Sequence, residues 1–171
     1  MRTVVTMTAE IRATKLSAVS RKRIAKLATF IKNLKSEKLD MGQVAYIGDS
    51  GNMDPKKCNS AGCAMGWSPI VFPDLLEYRK PTKESKVWDI RLKRKKKVLN
   101  YEAISEVLGI PDDDAAHLFC SGRTVYDTPA QVSAGLLQYA KDGMVPPACF
   151  EVKESYLAWI AGRVEAVYPK K

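Results

Sequence analysis

The sequence predicts a mainly α-helical domain in which a short alternating stretch leaves room for a small β-hairpin around residues 87–97. Apolar residues recur at helical spacing in several segments, capping residues stand at segment ends, and apolar–polar alternation is confined to one stretch. The 171 residues, 46% of them hydrophobic, suit one domain with its own core. We expect a single domain over residues 1–171, with an arm or short helix over 1–19, a helical core over 20–143 and a C-terminal helix over 151–168.

The first predicted element is an amphipathic helix over residues 20–39, where apolar residues recur every three to four positions between Lys and Arg. Ser20 is expected to cap its first turn. Residues 47–60 are rich in Gly, Asp, Asn, Ser and Pro, which favour turns and predict a loop. The small and apolar residues 60–67 predict a short buried helix, and a proline just before residues 74–78 predicts another short helix there.

Two further helices are predicted to form a hairpin that follows an extended arm. Apolar and polar residues alternate over residues 87–93, which is the period of a half-buried strand. Asn100 is expected to cap a helix that ends at Gly109, and Pro111 is expected to open the next helix. That second helix begins with three aspartates, which complement the helix dipole but repel phosphates, so we do not expect it to read a DNA groove.

The last part of the chain contains two more predicted helices. One begins at Thr128, because Pro129 suits a first helical turn and Gln131 follows the cap by three residues, as in a capping box. It is expected to end near Gly143. Residues 151–168 then place aromatic and apolar residues on one helical face, which predicts the C-terminal helix.

Positive charge is concentrated in two segments of the chain. The formal net charge is +9, from 28 Lys and Arg against 19 Asp and Glu. Residues 1–40 contain ten basic and three acidic side chains, and residues 83–97 contain eight basic and two acidic ones. Clustered positive charge attracts polyanions, so the partner is expected to be a nucleotide, a nucleic acid or an acidic protein.

Catalytic and metal-binding motifs are not found in the sequence. It contains no phosphate-binding glycine loop, Ser-His-Asp arrangement, zinc-protease helix or dinucleotide fingerprint, so we expect a non-enzymatic protein without a cofactor. Cys58, Cys63, Cys120 and Cys149 lack the two close pairs of a zinc module, and we interpret them as reduced thiols rather than metal ligands. His117 either activates one of these thiols or bonds to a neighbouring acid on a helix surface.

Three motifs together carry a resemblance to a known group of proteins. Residues 58–67 read Cys-Asn-Ser-Ala-Gly-Cys-Ala-Met-Gly-Trp, residues 108–119 run from Leu-Gly-Ile to Leu-Phe, and residues 128–132 read Thr-Pro-Ala-Gln-Val. With these motifs the chain resembles small accessory proteins of bacteriophages and prophages that carry a Cys-x4-Cys-Ala-x-Gly-Trp box. The resemblance covers residues 38–137. It implies an accessory role in the cytosol of a bacterial host and no assigned activity.

The leading functional hypothesis is a counter-defence protein that binds and sequesters an anionic nucleotide immune signal. Aromatic rings would stack on bases and arginines would pair with phosphates. Trp67 also fits a packed core position. The predicted ligand-binding residues are Trp67, Trp88, Arg94, His117, Arg123 and Tyr126.

Two other binding functions and one enzymatic function remain open. The first is nucleic-acid binding through the N-terminal helix and a basic run, with affinity that falls steeply as salt rises. The second is inhibition of an acidic host protein, and the third is hydrolysis of the same nucleotide signal. No apolar run approaches the roughly 20 residues that a membrane helix needs, so we expect no membrane partner, while a homo-oligomer stays open. The predicted nucleic-acid-binding residues of the run are Arg91, Lys93, Lys95, Lys96 and Lys97.

Overall fold

A computed structural model describes residues 13–39, 63–80, 88–119 and 128–146 of the chain. Within these ranges the architecture is mainly α-helical with one small antiparallel hairpin, which confirms the predicted fold class. No helix in these ranges is both long and apolar enough to cross a bilayer. The elements are α1 (Ala18–Lys32), a short 3-10 helix (Ser36–Lys38), α2 (Ser68–Val71), β1 (Leu76–Arg79), β2 (Asp89–Leu92), α3 (Asn100–Leu108), α4 (Asp112–Phe119) and α5 (Pro129–Asp142).

Helix α1 supplies one wall of the core and packs chiefly against α5. Its N-cap is Ser17, whose hydroxyl accepts from the Ser20 backbone N–H at 3.0 Å, so the helix begins earlier than the predicted cap at Ser20. It ends at Lys32 instead of residue 39, because Asn33 closes the last turn and a 3-10 turn follows. The apolar stripe is fully buried, as its helical spacing predicts: Ile24, Leu27, Ala28 and Ile31.

The two strands form an antiparallel hairpin with one apolar and one charged face. Leu76 pairs with Leu92 and Tyr78 with Ile90, and these side chains face the core. The helix predicted over residues 74–78 is wrong, because residues 76–79 form β1. The alternation Leu-Glu-Tyr-Arg matches the alternation of β2, and cross-strand pairing outweighs the helix-start signal of the preceding proline.

The α3–α4 pair forms as predicted, with one change at its start. Gly109 ends α3 in the left-handed region, with φ of 67°. Asn100 does not cap α3 but is its first residue, and the N-cap Leu99 makes no side-chain bond. The Asn100 side chain instead accepts from Ile90 N at 3.1 Å and donates to Asp89 Oδ1 at 2.9 Å. Asn100 therefore ties α3 to β2.

Helix α5 begins and ends where the sequence predicts. Thr128 accepts from the Gln131 backbone N–H while the Gln131 side chain accepts from the Thr128 N–H, so the capping box is complete. Gly143 ends the helix with φ of 71°. Its carbonyl accepts from the Thr14 N–H at 2.8 Å, which docks the segment before α1 onto the end of α5.

The remaining predicted elements are displaced or lie outside the described ranges. Residues 64–67 form a turn, and the helix predicted over 60–67 is replaced by α2, which begins at Ser68. Pro69 in the first turn of α2 accounts for this start. The predicted C-terminal helix over 151–168, the whole of the loop over 47–60 and most of the predicted arm over 1–19 lie outside the described residues.

Candidate functional site

Two arginines of α1 donate hydrogen bonds to the C-terminal ends of neighbouring helices. Arg21 Nη1 donates to the Ala140 and Lys141 carbonyls at the end of α5, and Arg23 Nη1 donates to Val107 O at the end of α3, at 2.6 Å. Helix C-termini carry unpaired carbonyls and partial negative charge, which cationic donors offset. Two of the ten basic residues in the N-terminal segment therefore stabilise the packing of helices.

Lys26 repeats this arrangement at a third helix end. Its Nζ donates to Val71 O at the end of α2, at 2.9 Å, and lies 5.5 Å from the centroid of the Phe72 ring. Lys26 as a whole is nevertheless an exposed residue. Lys22, one turn earlier on the same helix, is also exposed.

The second charge cluster is a loop at the end of β2, which we call the basic loop (residues 93–97). The backbone fixes both of its ends: Leu92 N donates to Val98 O at 3.2 Å, and Arg91 forms a β-bridge with Leu99. The Val98 N–H donates to Lys95 O at 2.9 Å, which closes a tight turn. All five loop residues, Lys93, Arg94, Lys95, Lys96 and Lys97, are basic and exposed.

The loop cations differ in their surroundings. Lys95 Nζ lies 2.9 Å from the carboxylate of Glu106 on α3, with side-chain exposures of 61% and 46%. Lys97 borders an open cleft of about 500 Å³, which three carboxylates also line: Glu102, Asp112 and Asp113. No carboxylate among the described residues pairs with the three other cations of the loop: Lys93, Arg94 and Lys96.

Arg91 also belongs to the predicted nucleic-acid-binding set, but it already pairs with a carboxylate. Its Nε donates to Glu77 Oε1 at 2.7 Å across the hairpin, and the next pair along, Arg79 and Asp89, is 3.8 Å apart. These four residues form the charged face of the hairpin. That face is electrically neutral, so the positive field of the region originates in the basic loop.

Trp67 does not offer a stacking surface, contrary to the predicted ligand-binding role. Its side chain is 4% exposed, its ring centroid lies 6.0 Å from that of Phe30, and its Nε1 donates to Lys38 O at 2.9 Å. The indole therefore fills the core and joins α2 to the 3-10 helix region. Trp67 ends a short turn over residues 64–67 that is itself buried, so the indole lies in the core. Small residues in this turn let it pack closely against its neighbours.

Trp88 lies at the beginning of β2 and packs edge-on against Tyr78, with ring centroids 6.4 Å apart. The Tyr78 hydroxyl donates to Gly66 O at 2.7 Å. Burial raises the pKa of Tyr78 above its ordinary value, and the nearby Cys63 raises it further. Trp88 is half-buried, so part of its ring is accessible, but Tyr78 occupies one side of it.

The remaining predicted ligand-binding residues are not brought together in the described part of the chain. His117 is half-buried in the last turn of α4, and Arg94 is on the basic loop. Arg123 and Tyr126 lie outside the described residues. So do three of the four cysteines, while Cys63 is buried and its Sγ accepts from the Gly66 N–H at 3.3 Å.

A buried polar cluster between α4, α5 and the segment before α1 was not predicted. Thr14 Oγ1 and Tyr139 Oη both donate to Asp114 Oδ2, at 2.6 and 2.5 Å. Burial and the Asp114 carboxylate raise the pKa of Tyr139 above its ordinary value, whereas the bond from Thr14 acts in the opposite direction. Because both hydroxyls donate to the same carboxylate oxygen, we interpret this cluster as a structural contact that joins α4, α5 and the segment before α1.

Metal binding finds no support among the described residues, where no group of three or more His, Cys, Asp or Glu is arranged to hold an ion. Comparison of the chain with protein-family models, curated proteins and solved structures finds no match. The resemblance to phage accessory proteins therefore stays a prediction. Within the described ranges, the basic loop is the most strongly charged exposed feature.

Proposed function

We propose that the protein binds nucleic acid through the basic loop, by contacts to the phosphate backbone. The observation that carries this proposal is the exposure of five consecutive basic side chains on a loop whose ends are fixed by backbone hydrogen bonds. Each phosphate that a cation neutralises releases condensed counterions, which supplies most of the affinity of backbone binding. A loop with fixed ends loses less conformational entropy on binding than a flexible tail with the same charge.

The loop is better suited to this role than the other basic surfaces. Arg21 and Arg23 of α1 are held by helix carbonyls, and Arg91 is held by Glu77. Breaking such contacts to bind phosphate would cost part of the stability of the fold. Lys93, Arg94 and Lys96 have no such contact to break among the described residues.

The chemistry of the loop favours binding that depends little on sequence. Four of its five residues are lysines, which act on phosphates as compact point charges. Arg94 alone has the planar donor fork that reads a guanine edge with two hydrogen bonds. We therefore expect affinities for different duplex sequences to agree closely at one salt concentration.

The test compares two double variants that remove the same net charge. Arg94→Gln/Lys96→Gln removes two cations that lack a described partner, and Lys95→Gln/Lys97→Gln removes two that lie beside carboxylates. Fluorescence anisotropy with a labelled random-sequence duplex should show the larger loss for the first variant. The slope of log affinity against log salt should fall in magnitude by about 2 units for that variant, since each phosphate contact contributes about 0.9.

Two results would argue against this proposal. Equal losses in both double variants would mean that net charge alone governs binding. Failure of the wild-type protein to bind the duplex at low salt would remove nucleic acid as the partner.

Sequestration of a nucleotide immune signal stays a prediction that rests on Arg123, Tyr126 and the phage-protein resemblance. A thermal-shift screen against cyclic dinucleotides, cyclic oligonucleotides and ADP-ribose derivatives tests it, because a ligand at about a hundred times its Kd stabilises by about 2.7 kcal/mol. A selective rise in Tm without duplex binding would replace the nucleic-acid proposal with this one.

A further inference from the structure

The two positively charged segments of the sequence meet at the turn that joins α2 to β1. Lys26 of α1 donates to Val71 O before this turn, at 2.9 Å, and the backbone N–H of Lys93 donates to Leu75 O after it, at 3.0 Å. The Phe72 carbonyl accepts from the Leu75 N–H at 3.0 Å, which makes the turn tight. Val71 and Leu75 are four residues apart and therefore at most about 14 Å apart even when extended, which places Lys26 Nζ within about 20 Å of Lys93 N.

The opposite side of the basic loop is acidic. Glu106 of α3 pairs with Lys95, and Lys97 shares its cleft with the three carboxylates of α3 and α4 described above. The α2–β1 turn carries one exposed carboxylate, Asp74, with basic residues of α1 and of the loop on either side of it, so a polyanion bound to the loop is attracted more on that side than on the side of α3 and α4. The electrostatic potential around the basic loop is therefore more positive on the side of the α2–β1 turn than on the side of α3 and α4.

We infer that bound nucleic acid extends from the basic loop across the α2–β1 turn to Lys26 and Lys22 of α1, and that it stays clear of the α3–α4 cleft. This inference rests on the proposed function and defines the extent of its binding surface. Lys22 and Lys26 are one helical turn apart and both exposed, so they share a face of α1. The partner that fits is a duplex, whose two phosphate rows flank a major groove about 12 Å wide and can each meet one group of cations.

The test uses single lysine variants of α1 against the same labelled duplex. Lys22→Gln and Lys26→Gln should each weaken binding and lower the salt slope by about one unit. The Gln side chain keeps an N–H donor toward Val71 O at position 26. Lys22 makes no contact that supports the fold among the described residues, so Lys22→Gln remains informative if Lys26→Gln lowers the Tm.

Lys32→Gln is the matched control. Lys32 is exposed on the same helix, three turns after Arg21, and therefore lies on the flank of α1 that Arg21 turns toward α5. This variant removes the same charge and should leave both affinity and salt slope unchanged.

The outcomes separate this inference from the function on which it rests. If Lys22→Gln and Lys26→Gln bind like Lys32→Gln while Arg94→Gln/Lys96→Gln still weakens binding, the extended surface is refuted and the loop remains the binding site. If the wild-type protein does not bind the duplex, both the function and the extended surface are refuted. A loss of duplex affinity in Lys22→Gln and Lys26→Gln, with the affinity of Lys32→Gln unchanged, supports the extended surface.

Discussion

The two glycines that end α3 and α5 allow backbone strain and steric contact to be measured separately. Gly109 and Gly143 have nearly the same left-handed backbone, with φ of 67° and 71°. A Cβ at Gly109 would lie 2.7 Å from the Ser20 hydroxyl oxygen, which can rotate away if it gives up its hydrogen bonds to Gly109 O and to the Ser17 hydroxyl. A Cβ at Gly143 would lie 2.0 Å from the Thr14 carbonyl oxygen, which belongs to the backbone. We therefore expect alanine to cost more at Gly143.

The magnitudes follow from what each alanine disturbs. Left-handed backbone costs a residue with a Cβ about 1–2 kcal/mol, and the hydrogen bonds that the Ser20 hydroxyl gives up at Gly109 add about 1 kcal/mol. At Gly143 the segment around Thr14 must also move away, which forfeits the 2.8 Å hydrogen bond between Thr14 N and Gly143 O and exposes Leu16, now 7% exposed. Adding about 1 kcal/mol for the bond and about 1.5–3 kcal/mol for the leucine to the cost of left-handed backbone gives a total of about 3.5–6 kcal/mol at Gly143.

Urea unfolding at equilibrium measures both costs through the midpoint and the m value. Asparagine variants extend the comparison, because Asn tolerates left-handed backbone better than Ala but carries the same Cβ. Gly109→Asn should recover part of the loss seen with Gly109→Ala, and Gly143→Asn should not. Equal free-energy losses for Gly109→Ala and Gly143→Ala would refute the docking of the Thr14 segment on the end of α5.

Two further predictions concern α5. Thr128→Ala removes the side-chain cap and should lower the free energy of unfolding by about 1 kcal/mol, while Gln138→Ala on the exposed side of the same helix should change it by less than about 0.5 kcal/mol, as urea unfolding can measure. Because the folded pKa of Tyr139 is raised, its hydroxyl stabilises the fold fully below the unfolded pKa of about 10, and this contribution is lost as pH rises above 10. Tyr139→Phe should therefore show a shallower loss of stability above pH 10 than the wild type, and parallel pH profiles for the two proteins would contradict this assignment.

The parts of the fold that the sequence predicts correctly are those set by neighbouring residues. The Thr128 capping box, the Pro129 start and the glycine ends of α3 and α5 all depend on contacts within a few positions. Such signals act through local backbone geometry, and they hold here where no long-range pairing competes with them. They place helix ends to within a residue or two here, except for α1, whose C-terminal end carries no glycine or proline.

The parts that fail depend on partners far along the chain. The strand character of residues 76–79 is decided by pairing with residues 89–92, and local propensity does not reveal that pairing. The inward position of Trp67 likewise depends on Phe30 and Lys38, which are more than twenty residues away. Cores and ligand pockets use the same residue types, so the sequence around Trp67 fits both roles.

Charge is the feature whose meaning changes most between sequence and structure. A count of charges predicts a polyanion partner equally well for both basic segments. In the structure, however, Arg21, Arg23 and Lys26 donate to backbone carbonyls that are 119, 84 and 45 positions away in the sequence, respectively. A cation at a helix end keeps its charge while its hydrogen bond supports the fold, so it adds to the field around the protein without being free to rearrange around a ligand. In the basic loop, backbone hydrogen bonds fix the ends of the loop, whereas most of its side chains have no described partner and can rearrange around a ligand. The three loop residues without a described partner predict a salt slope of duplex binding near −2.7. Lys22 and Lys26 would bring the slope to about −4.5, because a cation that keeps its position still neutralises a phosphate that lies against it.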